Sequence, residues 1–253
     1  MTKTSEQTNY ALITGAAGGI GQALVHTFQS AGYQVIAVDW VPCPDNLKAS
    51  YYLQVDLAKT VIDEAYAEAV FAEVRRCLHT NQLKVLINNA AVQILAKTDE
   101  LSRNDWQDTL NVNLLAPFFW AQALLPELES AQGCIINISS IHARLTKKNF
   151  VAYATSKTAL SGMTRAMALD LRGKVRVNGI EPAAIETAML RKGFECDDAG
   201  FAQLKQFHPT QSIGQPEEVG KLAVFLVEGG MQFMNGALMP LDGGIGGCLY
   251  DPG

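Results

Sequence analysis

Short runs of β-branched and aliphatic residues alternate with longer stretches whose apolar residues recur every three or four positions, and the alternation runs along the whole chain. The apolar runs at 10–14, 34–38, 51–55, 84–87, 134–138, 175–180 and 237–241 predict strands. Between them, 19–31, 62–78, 102–128, 152–171 and 216–227 predict helices, with a bend near Pro117 and with Pro216 in the first turn of the last helix. A run such as Val35-Ile36-Ala37-Val38 is apolar on both faces, so it must be covered on both faces. Strands that alternate with helices in this way predict parallel pairing in an α/β architecture. Pro240 removes a ladder donor from the last strand and places that strand at a sheet edge. No internal repeat, low-complexity segment or linker breaks the pattern, so a single domain over 1–253 is expected.

The first strand-to-helix junction reads Thr14-Gly15-Ala16-Ala17-Gly18-Gly19-Ile20-Gly21. Glycines here let the backbone turn tightly and approach a pyrophosphate, while the first amides of the following helix face the anion. The spacing is TGxxxGxG and not the GxGxxG of the commonest dinucleotide fold. Asp39 ends the second strand, where an acidic side chain would bind ribose hydroxyls. Trp40 follows it, and none of Ala16, Ala17 or Trp40 carries the cation that a 2′-phosphate needs. NAD is expected over NADP.

The fifth apolar run ends in Ser139-Ser140, and Tyr153 and Lys157 follow. On a helix spanning 152–171 those two lie one turn apart on the same face. A lysine so placed is expected to lower the tyrosine pKa from its free value near ~10 and make the phenol a usable acid or base. Ser140, at the carboxyl end of a strand, would hydrogen-bond a substrate oxygen.

Composition narrows the class. Apolar residues make up 48% of the chain, which suits a packed core. A formal charge of −5 with no basic block argues against a nucleic-acid surface. Five cysteines without a CxxC, and scattered histidines, point to a reduced compartment and to no metal site. The polar first nine residues carry no secretory signal, and no apolar run approaches the ~18 residues of a membrane span. A cytoplasmic protein is expected.

Together, Thr14-Gly15 with Gly19-Ile20-Gly21, Asp56-Leu57, Asn88-Asn89-Ala90, Asn113, Ser140, Tyr153 with Lys157, and Pro182 with Ile185 and Thr187 make residues 10–244 resemble the short-chain dehydrogenase/reductase family. That resemblance implies a doubly wound, Rossmann-like domain with a seven-stranded parallel sheet, and hydride transfer between a nicotinamide cofactor and an alcohol or carbonyl. It implies Tyr153 as the acid/base, Lys157 on the nicotinamide ribose, Ser140 polarising the carbonyl, and Asn113 holding a water that links Lys157 to solvent. It implies Asp56 at the adenine amino group with Leu57 beside the ring. Asn89 and Ala90 then lie along the adenosine ribose, and Pro182, Ile185 and Thr187 by the carboxamide. Two residues depart from the family pattern: Ala91 and Ala183 stand where glycine is usual, and a methyl group there restricts positive φ.

In this family the segment 185–213 is a substrate lid, and Met189 with Gln93 and His142 from other loops would face the substrate. Arg144, Lys147 and Lys148 form a small basic cluster, either a receptor for a carboxylate or phosphate or a solvated face. The resemblance also implies a homotetramer, or a homodimer, built on the 102–128 and 152–171 helices, with their Ala121, Ala123, Ala154, Ala159, Ala166 and Ala168. The tail at 246–253 either reaches a neighbouring subunit or frays. The expected function is NAD(H)-dependent interconversion of a secondary alcohol and a ketone. The alternatives are a catalytically inactive dinucleotide sensor of the same fold and a methyltransferase with a related sheet; the second has no use for the tyrosine–lysine pair.

Overall fold

The computed structural model describes residues 8–195 and 197–249. The leading segment 1–7, Cys196 and the tail residues 250–253, to which part of the signal, cysteine and tail expectations refer, lie outside the described residues. Seven strands, β1 (Tyr10–Thr14), β2 (Gln34–Asp39), β3 (Tyr51–Gln54), β4 (Val85–Asn88), β5 (Cys134–Ile138), β6 (Arg176–Pro182) and β7 (Leu238–Leu241), form one parallel sheet in the order β3-β2-β1-β4-β5-β6-β7. The chain winds outward from β1 to β3, then returns to the far side of β1 with β4, and that reversal opens a crevice at the carboxyl ends of β1 and β4. β7 pairs only with β6, so Pro240 does sit on an edge.

Two apolar layers cover the sheet. On one face Leu12, Val38, Leu86 and Ile135 meet Phe71 of α3 (Glu64–Cys77) and Trp120 of α5 (Ala116–Ala123). On the other, Ile13, Ala37, Ile87 and Ile136 meet Leu24 and Phe28 of α1 (Gly19–Ser30) and Val219 and Leu226 of α10 (Pro216–Glu228). The two-sided burial of each central strand is what its unbroken apolar run requires.

Three expected elements change by more than a residue, each for a local reason. The helix expected at 62–78 is two helices, α2 (Leu57–Ile62) and α3, because Asp63 adopts an extended backbone and its carboxylate accepts the Tyr66 amide at 3.0 Å as the cap of α3. The 102–128 helix is divided into α4 (Arg103–Leu110), a π-helical turn (Asn111–Leu115), α5 and α6 (Leu125–Ser130). A capping box of Ser102 with Asp105 starts it. Pro117 has no amide hydrogen, so the carbonyl of Asn113 lacks its α-helical donor and the chain widens by one residue just before the proline. β6 runs two residues past Ile180, since β7 pairs with it as far as Pro182. The expected 152–171 helix is α7 (Val151–Asp170), and the expected lid carries α8 (Ala188–Lys192) and α9 (Asp198–Gln206). Among the described residues no helix is long and apolar enough to cross a membrane, and no cluster of three metal-ligating side chains occurs.

Candidate active site

At the mouth of the crevice the turn after β1 is built from close backbone approach. Gly15 has φ +65°, and a Cβ there would fall 2.6 Å from the Ala90 Cα. A Cβ on Gly21 would fall 2.0 Å from the Gly15 carbonyl oxygen, and one on Gly19 2.9 Å from the Thr187 methyl. Gly18 caps α1 without a side-chain acceptor, which leaves the first-turn amides of α1, including that of half-buried Ile20, available to an anion. The turn is fastened to β4 by Asn89, whose Nδ2 donates to the Thr14 and Gly15 carbonyls at 3.0 Å each. Thr14 Oγ1 in turn accepts the Asn89 and Ala90 amides.

Asp39 is buried at the end of β2. Oδ2 accepts the Ala17 amide at 2.8 Å, and Oδ1 the Trp40 and Val41 amides at 2.8 and 3.4 Å, which leaves acceptor capacity on Oδ2. The Trp40 indole is 74% exposed beside it. Asp56 caps α2 by accepting the Lys59 amide at 3.1 Å. Leu57 departs from expectation. As the first residue of α2 it packs its side chain into the core, 7% exposed. Ile185 does the same: its side chain packs into the opposite apolar layer, and its backbone bridges to Gly214.

Toward β5 the expected catalytic side chains converge. Ser140 follows β5, is buried, accepts the His142 amide at 3.1 Å, and lies close enough to the Tyr153 phenol to act on its titration. Its neighbour Ser139 points the other way, donating to the Lys157 carbonyl at 3.1 Å and meeting Ser161 at 2.8 Å, so the two adjacent serines have separate tasks. Lys157 is 2% exposed and its Nζ donates to the Ile138 carbonyl at 2.8 Å, 5.8 Å from the Tyr153 ring centre. Burial pulls its pKa down to about 7. Tyr153 stands above its ordinary value, because packing around the phenol outweighs the Ser140 hydrogen bond. The lowering expected from a lysine one turn away is therefore not present in this protein state; both partners are held toward their neutral forms. Asn113, wholly buried, exchanges two hydrogen bonds with the Val92 backbone (2.8 and 2.9 Å) and donates to Ser156 Oγ at 3.0 Å. Ser156 donates to the Tyr153 carbonyl, so Asn113 joins the loop after β4 to the tyrosine's own helix turn.

On the substrate side, His142 stacks on Phe150 (4.3 Å, 10°) and meets Tyr153 edge-on at 5.8 Å. Burial first, and Lys147 second, push its pKa down to about 4. Gln93 is half-buried on the loop after β4, and Met189 is exposed on α8. Thr187 caps α8 and leans on Gly19, which brings the lid onto the glycine turn. Pro182 closes β6 opposite Leu241. Ala183 donates its amide to the Leu241 carbonyl at 3.0 Å, and neither it nor Ala91 has positive φ, so both methyl groups sit on ordinary backbone. The expected basic cluster is not one unit: Arg144 is bound by Glu181 at 2.8 Å, while Lys147 lies over the Phe150 ring.

Thr14 stands in the glycine motif without a role of its own, and Ser156, Phe150 and Glu181 carry no motif at all. Glu181 had a signal: a carboxylate in the apolar strand Val177-Asn178-Gly179-Ile180-Glu181 must find a buried partner.

A doubly wound parallel sheet with a glycine turn at its switch point and a serine–tyrosine–lysine group beside it defines a dinucleotide-dependent oxidoreductase class. Residues 15–246 match the family model described as enoyl-(acyl carrier protein) reductase. The chain is 34% identical to D-threitol dehydrogenase of Mycolicibacterium smegmatis over 245 residues, covering 92% of this chain and 91% of that protein. It is equally 34% identical to Protein FixR of Bradyrhizobium diazoefficiens over 246 residues, covering 92% and 85%. The ligand-free structure of Thermoplasma acidophilum aldohexose dehydrogenase superposes with a TM-score of 0.90 at 27% identity, covering 98% and 97%. The chain belongs to the short-chain dehydrogenase/reductase family.

Proposed function

We propose that the chain is an NAD(H)-dependent oxidoreductase that interconverts a secondary alcohol and a ketone, within one cofactor-binding domain whose segment 185–213 is the substrate lid. The observation that carries the reading is the convergence of buried Ser140 and Lys157 on Tyr153 at the carboxyl ends of the strands, with Lys157 Nζ 5.8 Å from the tyrosine ring centre. A dinucleotide fits the residues present: the glycine turn is a cradle that single methyl groups would fill, and the uncapped amides of α1 face it. Gly15, Gly18, Gly19, Ile20 and Gly21 would hold the pyrophosphate. Asp39 would take the adenosine ribose hydroxyls, with Trp40 alongside. Asp56 and the Leu57 backbone would border adenine, Asn89 and Ala90 the adjoining ribose, and Pro182, Ile185 and Thr187 the carboxamide. With two carboxylate oxygens at the ribose position and no cation beside them, NAD is favoured over NADP.

NAD, when bound, supplies the hydride acceptor. The residues supply positioning and proton transfer. Ser140 orients the substrate oxygen against the phenol of Tyr153. Tyr153 accepts the hydroxyl proton in oxidation and returns it in reduction. Lys157, reaching toward Tyr153 from the same face of α7, favours the phenolate whenever it is protonated, and Asn113 keeps the flanking loop and helix turn in register. His142, Phe150, Gln93 and Met189 border the substrate. The family's oxidation of CH–OH groups and the polyol named for the threitol relative support an alcohol substrate.

A homo-oligomer, on family precedent a tetramer, belongs to the same proposal. Phe118 and Phe119 on α5 and Val151 and Leu169 on α7 are exposed apolar residues that a second copy would cover. So does a reduced, cytoplasmic setting, since the described cysteines Cys43, Cys77, Cys134 and Cys248 are free thiols.

The test is NADH formation from NAD, or NADPH formation from NADP, by the purified protein across polyols, cyclic alcohols, sugars and hydroxyacyl thioesters. Turnover with NAD is expected. Tight NADH binding with silence across every alcohol would replace this reading with the sensor.

A further inference from the structure

Lys157 is held at two points by consecutive residues at the end of β5. Its Nζ donates to the Ile138 carbonyl at 2.8 Å, and its own carbonyl oxygen lies 3.1 Å from Ser139 Oγ. Ser139 is itself fixed, since its amide donates to the Ile180 carbonyl at 2.8 Å. The hold on the lysine's helical turn therefore depends on where the Ser139 hydroxyl sends its hydrogen.

That hydroxyl has a second acceptor. Ser161 Oγ, one turn beyond Lys157 on α7, lies 2.8 Å from Ser139 Oγ and donates to Glu181 Oε1 at 2.9 Å. All three side chains are buried, Glu181 to 1% exposure, so they must satisfy one another. Two hydroxyls bring two hydrogens to three contacts. A carboxylate only accepts, so Ser161 gives its hydrogen to Glu181 and turns a lone pair to Ser139. The Ser139 hydrogen is then divided between Ser161 and the Lys157 carbonyl. The other oxygen of Glu181 faces Arg144, whose Nε donates to it at 2.8 Å. Pairing with Arg144 needs that oxygen alone, and Oε1 is left to act on the serines.

We propose that Glu181 is a positioning residue for Lys157, acting through Ser161 and Ser139 to loosen the hold of the β5 end on the lysine's helical turn. Removing the charge changes the count of hydrogens. In Glu181→Gln the amide oxygen stays with Arg144 and the amide NH2 faces Ser161. Ser161 then gives its hydrogen to Ser139, and Ser139 gives its own undivided to the Lys157 carbonyl. The turn is drawn toward β5. The inference deepens the proposed role of Lys157 and rests on it, but its first test does not need turnover.

Wild type, Glu181→Gln, Ser161→Ala and the double variant are compared by proton–carbon NMR, with lysines isotope-labelled at Cε. The Lys157 signal is the one absent from Lys157→Met. It should move in Glu181→Gln while the other lysine signals stay. In Ser161→Ala it should take one position whether or not Glu181 is also changed. With NAD and an alcohol that wild type oxidises, single-turnover hydride transfer should slow about fivefold in Glu181→Gln, with NADH affinity within about twofold. In the Ser161→Ala background the same change should alter that rate by less than about twofold. A Lys157 signal unmoved by Glu181→Gln overturns the proposal. So does one moved equally with and without Ser161, which assigns Glu181 to Arg144 alone. If Glu181→Gln does not fold, Ser161→Ala decides, because an unmoved Lys157 signal there breaks the chain of contacts. Absence of turnover with every alcohol counts against the alcohol–ketone reading and leaves the NMR result to decide this one.

Discussion

The two walls of the crevice are held by different means. Around the glycine turn, backbone meets backbone: Gly15 against Ala90, Gly21 against the Gly15 carbonyl, Asn89 bonding to main-chain oxygens. Around the substrate side, side chain meets side chain: His142 on Phe150, Arg144 on Glu181, Arg191 on Glu186. A main-chain contact cannot be exchanged by one substitution without moving the strand that carries it. A side-chain pair can. The cofactor wall therefore has little freedom to vary, and the substrate wall can be retuned one residue at a time.

The largest break in this comparison falls where the two walls meet. Tyr153→Phe should lower turnover roughly a thousandfold while NADH affinity stays within a few-fold, since only the proton carrier is lost. Single-turnover kinetics beside fluorescence titration checks it, and comparable losses in both would assign Tyr153 to binding. Next, Gly21→Ala forces a methyl group onto the Gly15 carbonyl, so NADH affinity and stability should fall together, stability by about 2 kcal/mol. Denaturant melts that match wild type would mean that the turn yields.

A third break concerns Lys157. Its folded pKa, about 7, lies below the ~10.4 of an unfolded lysine, so between those values the unfolded chain holds a proton that the folded chain has shed. Stability without cofactor is then greatest above that window, falls as pH drops through it, and levels off below about pH 7. Lys157→Met should remove the penalty. Its advantage over wild type should be on the order of 3 kcal/mol larger near pH 6 than near pH 9.5. Urea unfolding at the two pH values measures it, and a pH-independent difference would refute the buried, depressed lysine. The smallest effect is expected at Asp39→Ala, a roughly tenfold loss of preference for NAD over NADP in competition kinetics, because only ribose contacts change.

Much of this was legible in the chain because it is local. An unbroken apolar strand, a glycine turn and a tyrosine–lysine pair one helical turn apart each declare themselves within a few residues. The sheet, its edge strand and the meeting of Ser140 with Tyr153 follow from them. What was not legible depends on partners distant in sequence. Arg144 read as part of a basic cluster until Glu181, 37 residues away, was placed against it. Leu57 and Ile185 carry family positions at the crevice, yet their side chains obey the apolar layers and turn inward. The tyrosine's pKa depended on how tightly the phenol is packed, which spacing along a helix does not report.

The π-helical turn at Asn111–Leu115 has a consequence for chain length. One added residue rotates everything beyond it by about 100° relative to an unbroken helix. That phase shift lets Asn113 face Val92 and Ser156 while Trp120, further along, still closes against Phe71. Shortening the segment by one residue would put the two halves out of phase, so that either the asparagine or the tryptophan loses its partners. Length, as much as identity, is specified there.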